Sequence, residues 1–290
     1  MLSRVALPGQ TLPETVTMSQ IRSFLWTHQG VSFLRDVTKE TLDVLPSFQI
    51  PDDDVVVASY PKTGTNWLAE IVVKILRAAG KVAESSDTMM RGGALEIKLP
   101  TARRPGYINL AKLPSHRLVV KVLVPMRNPK DTAVSGFHFF KKLMPMMGAK
   151  DDLRWEDFVQ DYSAGIVPYG DFCDHVSGWW QMRDDPHFLL LKYEDMKKDL
   201  LSAVKTIVTF LEVDLDESTV KGIAEASTFN NMKPVLDNST FPIRRHIARK
   251  GIVGDWKNYF STEDSKAFDA WCEKKLGGTG LTFHCTKSNI

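Results

Sequence analysis

Residues 54–67 read DVVVASYPKTGTNW, and the change of pattern inside this stretch decides the fold class. DVVVAS is a continuous apolar run behind the turn-forming PDDD (51–54), the pattern of a strand buried on both faces. From Leu68 to Ala79 apolar residues recur at helical spacing, so SYPKTGTNW reads as the turn from a strand into a helix. The same strand, polar turn and helix return twice more. LVVKVLVPM (118–126) leads through RNPKD into TAVSGFHFFKKL, and FLLLK (188–192) leads through YEDMKKDL into SAVKTIVTFLEV. This alternation predicts an α/β fold, a central and mainly parallel sheet flanked by helices, with ligands where strand carboxyl ends meet helix starts. Further helices are expected at 152–163, 171–184, 216–226 and 262–276, the last stopped by Gly277-Gly278.

Composition sets the frame around that core. At 290 residues and 43% hydrophobic content, with no linker-like stretch, residues 1–290 are expected to form a single domain. The formal net charge is only +2, from 37 basic and 35 acidic residues, so nucleic acid and anionic membrane are not expected partners. Any anion site has to come from local clustering. The apolar run near the amino end is short and broken by Pro8 and Pro13, which fails as a secretory signal, and no apolar stretch approaches membrane-spanning length. Cys173, Cys272 and Cys285 are an odd set at unrelated spacings, fitting neither a disulfide framework nor a zinc site. A reducing, cytoplasmic setting is the expectation.

The first turn carries the clearest chemistry. A helix amino end presents unpaired N–H groups and partial positive charge, and Lys62, Thr63, Gly64, Thr65 and Asn66 add an ammonium, hydroxyls and a close backbone approach. A phosphate-like group fits this set best. The nucleoside-triphosphate loop GxxxxGK[ST] is not present, since the lysine precedes the glycine and the leading glycine is missing, so ATP or GTP hydrolysis is disfavoured. Trp67, directly after the loop, is placed to stack on a purine.

At this point the chain resembles a family. SYPKTGTNW is similar to the 5'-phosphosulfate loop of the cytosolic sulfotransferases, and MRNPKDTAVSGFHF (126–139) to their segment whose arginine and serine bind a 3'-phosphate, here Arg127 and Ser135. KYEDM (192–196) matches a segment whose tyrosine lies near the nucleotide, here Tyr193. STFNNM (227–232) resembles the adenine-side segment, with Ser227 and Thr228 interchanged and with Phe229 and Met232 in place. RKGIVGDWKN (249–258) resembles the signature in which Arg249, Lys250 and Gly251 grip the 3'-phosphate.

The resemblance implies a donor, 3'-phosphoadenosine 5'-phosphosulfate (PAPS), a product, 3',5'-adenosine bisphosphate (PAP), and an acceptor that is a small hydrophobic phenol, alcohol, steroid-like molecule or amine, with no metal. Lys62 would neutralise the leaving phosphate oxygen, and residues 1–45 would be an amino-terminal extension and acceptor-side segment. The family's catalytic segment K-[ST]-H-L-P is altered here. TARRPGYINLAKLPSHRL (101–118) puts Tyr107 in the histidine position in the favoured register, or His116 in the other, and Pro105 or Pro114 where the family has lysine. A tyrosine, with a pKa near 10, is poorly matched to base work at neutral pH. Two readings therefore stand, a PAPS-dependent sulfotransferase and a member that binds PAPS or PAP with weak or no transfer. His138 in GFHFF is expected to be structural. The acceptor pocket is expected to involve the loop 24–33 and the 80–105 and 140–170 regions. KNYFSTEDSK (257–266) keeps only part of the family's dimer segment, with Lys266 in place of a glutamate, which leaves a homodimer open.

Overall fold

The computed structural model describes residues 20–48, 55–82, 120–150, 152–238 and 242–283. Residues 24–33, read from the sequence as a loop, fold instead as a hairpin. Strand β1 (Leu25–His28) pairs antiparallel with β2 (Val31–Leu34). Gln29 and Gly30 both take positive φ (48° and 80°), the backbone a two-residue hairpin turn demands. The hairpin is tied to the body by the Tyr169 amide, which donates to the Ser32 carbonyl at 2.7 Å. A short helix α1 (Lys39–Val44) follows, capped by Thr38.

The sheet is β3 (Val55–Val57), β4 (Lys121–Met126) and β5 (Phe188–Lys192), in the order β3-β4-β5 with both pairs parallel. Val57 lies opposite Leu123 and Met126 opposite Lys192, so the strand carboxyl ends leave the sheet on one side. Each strand feeds a helix: α2 (Thr65–Ala78) after β3, α3 (Pro129–Met146) after β4, with α4 (Trp155–Ser163) and α5 (Phe172–Trp180) beyond it, and α6 (Tyr193–Lys198) after β5. The chain continues through α7 (Leu200–Phe210), α8 (Glu217–Ala226), α9 (Phe229–Asp237) and α10 (Thr262–Leu276).

β4 is covered on both faces, which is why its sequence is apolar without interruption. Val124 and Met126 face a core built with Phe137 of α3, Phe158 and Tyr162 of α4, Phe172 of α5 and Phe268 of α10. Leu123, pointing the other way, packs with Leu68, Ile71, Val72 and Ile75 of α2 and with side chains of α7 and α8. The spacing of those four α2 residues is the apolar stripe of an amphipathic helix.

Several boundaries differ from the sequence reading for local reasons. α3 begins at Pro129, ahead of residue 132, because the Asn128 side chain accepts from the amides of Lys130 and Asp131 while proline presets the first helical φ. α5 stops at Trp180, not 184, where the chain tightens into turns with Met182 N–H donating to Trp179 and Arg183 N–H to Trp180. α6 replaces what the sequence reads as the polar turn YEDMKKDL, and α9, which holds Pro234 inside it, is a helix the sequence reading did not assign. Among the described residues no helix is long and apolar enough to cross a membrane.

Candidate functional site

The three strand ends converge on one cleft. After β3 the chain turns back on itself, with the Thr63 amide and hydroxyl both donating to the Tyr60 carbonyl at 3.3 and 2.8 Å. Lys62 takes φ 74°, a left-handed conformation uncommon for a side-chain-bearing residue, and Gly64 takes φ 119° at the α2 N-cap. A Cβ on Gly64 would come within 3.1 Å of the Tyr193 ring, so the loop is pressed onto the residue that opens α6. The first amides of α2 have no intrahelical partner and face an anion-ready helix end.

Arg127, at the end of β4, ties the pieces together. Its guanidinium donates to the carbonyls of Lys62 and Ile252, each at 3.3 Å, and lies 4.3 Å from the Tyr193 ring centre. Its Nε is buried without a hydrogen-bond partner. The next residue, Asn128, donates its amide to Glu194 at 2.9 Å and so locks the β4 turn to α6.

The turn 249–256 closes the third side. Asp131, in the first turn of α3, accepts from the amides of Gly254 (2.7 Å) and Trp256 (3.0 Å). Lys130 is fully buried, bonded to Ser265 and Asp269 at 2.7 Å each and lying 4.2 Å from the Trp256 ring centre. Asp255 is bonded to both Arg249 and Lys250, and these partners hold its carboxyl down to about 2 against the opposing effect of burial. Gly251 takes φ 64°, and a Cβ there would lie 2.2 Å from the Phe229 ring. Any side chain there would have to displace that ring.

These elements line one open cleft. Five cationic side chains line it, Lys62, Arg127, Lys197, Arg249 and Lys250, and no carboxylate does among the described residues. Burial, followed by the charges of Arg127 and Arg249, pushes the Lys62 ammonium down to about 7. Lys62 also carries its Nζ 4.2 Å from the Phe139 ring centre and borders a second, narrow hollow with Tyr60, Phe140 and Phe158.

Most sequence-predicted residues meet at the cleft: Lys62, Gly64, Thr65, Asn66, Trp67, Arg127, Ser135, Tyr193, Phe229, Met232, Arg249, Lys250 and Gly251. Thr63, Ser227 and Thr228 are not among its lining. Thr63 is fully buried with its hydroxyl turned back to Tyr60. Ser227 is likewise buried, its carbonyl accepting the Trp67 indole N–H at 2.7 Å and its hydroxyl the Lys74 ammonium at 3.3 Å. Thr228 is the N-cap residue of α9. These residues brace walls that other side chains present. Tyr107 and His116 lie outside the described residues. His138 pairs through Nε2 with the Tyr259 hydroxyl at 2.6 Å, and burial with Arg249 holds it down to about 4, in keeping with a structural role.

Sequence reasoning missed Lys197, Leu236, Ile247, Ala248 and Ile252 in the lining. Lys197 and Leu236 had a usable signal, being four residues beyond Tyr193 and Met232 on the same helix faces. Ile247 and Ala248 follow a segment pinned by Arg244 to Glu70 of α2 at 3.1 Å, a contact with no local signature.

Comparison with known proteins matches this geometry to one family. The profile of the family described as Sulfotransferase domain matches residues 52–280. The chain belongs to that family. It is 34% identical to sulfotransferase 1B1 of Mus musculus over 271 residues, covering 83% of this chain and 88% of the relative. It is also 34% identical to the amine sulfotransferase of Oryctolagus cuniculus over 293 residues, covering 92% and 95%. Among solved structures, mouse sulfotransferase SULT7A1 complexed with PAP superposes with TM-score 0.73 at 30% identity, covering 88% of this chain and 94% of that one. The parallel sheet flanked by helices is thus the fold of this sulfotransferase family.

Proposed function

We propose that the protein moves a sulfuryl group from PAPS to a hydroxyl or amine of a small hydrophobic acceptor. The observation that carries this is the cleft itself, five cations and a helix amino end around a space that no carboxylate lines among the described residues. The bare Nε of buried Arg127 and the ammonium of Lys62 among other cations both call for an anion. The relative crystallised with PAP supports the same ligand here.

In this reading PAPS supplies an already activated sulfuryl group, and the protein's part is positioning and charge. Arg127, Ser135, Arg249, Lys250 and the Gly251 backbone hold the 3'-phosphate. The first amides of α2, with Thr65 and Asn66, hold the 5'-phosphosulfate, and Trp67 and Phe229 flank the base. Lys62, raised back into its charged form by the bound anion, stabilises the oxygen that the sulfuryl group leaves. The acceptor proton goes to a base for which Tyr107 and His116 are the candidates. The half-buried Phe139 ring beside Lys62 favours a hydrophobic acceptor.

A second reading, a nucleotide binder with weak or no transfer, rests on Tyr107 and Pro105 standing where the family has histidine and lysine. Calorimetry with PAP, followed by a labelled-donor assay over phenols, alcohols, steroids and amines, separates the two. Transfer that falls in Tyr107→Phe or in His116→Ala identifies the base. Tight PAP binding with no product from any acceptor supports the second reading, and failure to bind PAP removes both.

A further inference from the structure

Lys197 projects from α6 one turn beyond Tyr193 into the cleft, and no family motif quoted above gave it a role. Its Nζ lies 5.9 Å from the ring centre of Trp67 and 5.9 Å from that of Phe229, so it sits equally far from the two aromatic walls. Both walls are fixed. The Trp67 indole N–H is held by the Ser227 carbonyl, and Phe229 fills the space that a side chain at residue 251 would occupy. No carboxylate bonds the Lys197 ammonium among the described residues, and burial alone lowers its pKa, whereas Lys62 also feels Arg127 and Arg249. Lys197 is therefore set apart from the phosphate-binding cations.

Resting on the nucleotide reading of this cleft, we propose that Lys197 donates a hydrogen bond to a ring nitrogen of the purine held between Trp67 and Phe229, and so selects the base. A purine offers in-plane lone pairs at its edge. An ammonium equidistant from the two rings is in position to meet such an edge.

The test compares two ligands on the full-length protein, PAP and the base-free 1-deoxyribose 3,5-bisphosphate, titrated calorimetrically against wild type, Lys197→Met and Lys197→Ala. Methionine keeps an unbranched stem, and circular dichroism checks that both variants fold. A charged-donor hydrogen bond at a half-exposed site predicts about tenfold weaker PAP binding in both variants, with the base-free ligand unchanged within about twofold. Equal weakening for both ligands would assign Lys197 to the phosphates and overturn the proposal, as would unchanged PAP affinity. Wild-type protein that fails to bind PAP would instead sink the nucleotide reading, and this inference with it.

Discussion

Lys62 is pulled two ways, since burial beside Arg127 and Arg249 drives its proton off near pH 7 while a bound anion drives it back on. Lys62 has to be charged to meet the ligand. Nucleotide affinity is therefore expected to fall as pH rises above about 7 until the raised pKa of the complex is passed, and binding at pH 8 should take up as much as one proton. Calorimetry in buffers of different ionisation enthalpy reads that uptake, and Lys62→Met should abolish it. The same variant should slow sulfuryl transfer by about 10²–10³-fold, the usual cost of removing one preorganised charge-stabilising donor. Gly251 makes a different kind of prediction. With φ 64° and the Phe229 ring 2.2 Å from any added Cβ, Gly251→Ala should cost about 1–3 kcal/mol in urea unfolding and displace a wall of the base site, weakening PAP binding. The sequence identified both residues, but it showed neither the lowered pKa of one nor the packing that makes the other obligatory.

At the scale of elements, the amino end of α3 is the clasp of the site. Asn128 caps the helix, Asp131 holds the backbone of the 249–256 turn, and Lys130 reaches α10. Removing the carboxylate in Asp131→Ala leaves two buried or half-buried amides unpaired. The expected loss is about 2–3 kcal/mol of stability by chemical denaturation, with weaker PAP binding because Arg249 and Lys250 ride on that turn. The sequence reading took RNPKD as a polar turn ahead of the helix, although the Asn128 cap needs only residues that are neighbours in the chain. The clasp was not legible, because the partner amides lie 123 and 125 residues away. The hairpin at 25–34 and α9 were missed for local reasons: Gln29-Gly30 is a weak turn signal, and Pro234 argues against the helix that contains it.

Across the whole molecule, the one cleft draws on all three strand ends and on the carboxyl-terminal third of the chain, so on the proposed reading ligand binding and global stability are coupled. At a hundredfold excess over its dissociation constant, PAP should add about 2.7 kcal/mol to unfolding and raise the melting temperature by about 4–5 °C, read by differential scanning fluorimetry. The shift should shrink in Arg127→Ala, whose side chain joins the Lys62 loop, the Ile252 carbonyl and Tyr193. The sequence by itself determined the parallel α/β sheet, the anion-binding turn and the motifs that resemble one family, because strand burial, capping and helix-end chemistry are written in contiguous residues. Only the tertiary structure decided that Thr63 and Ser227 turn inward, that Lys197 stands between Trp67 and Phe229, and that Lys62 sits among the cations of the cleft. Those properties depend on distances between residues far apart in the chain, and no local pattern encodes such distances.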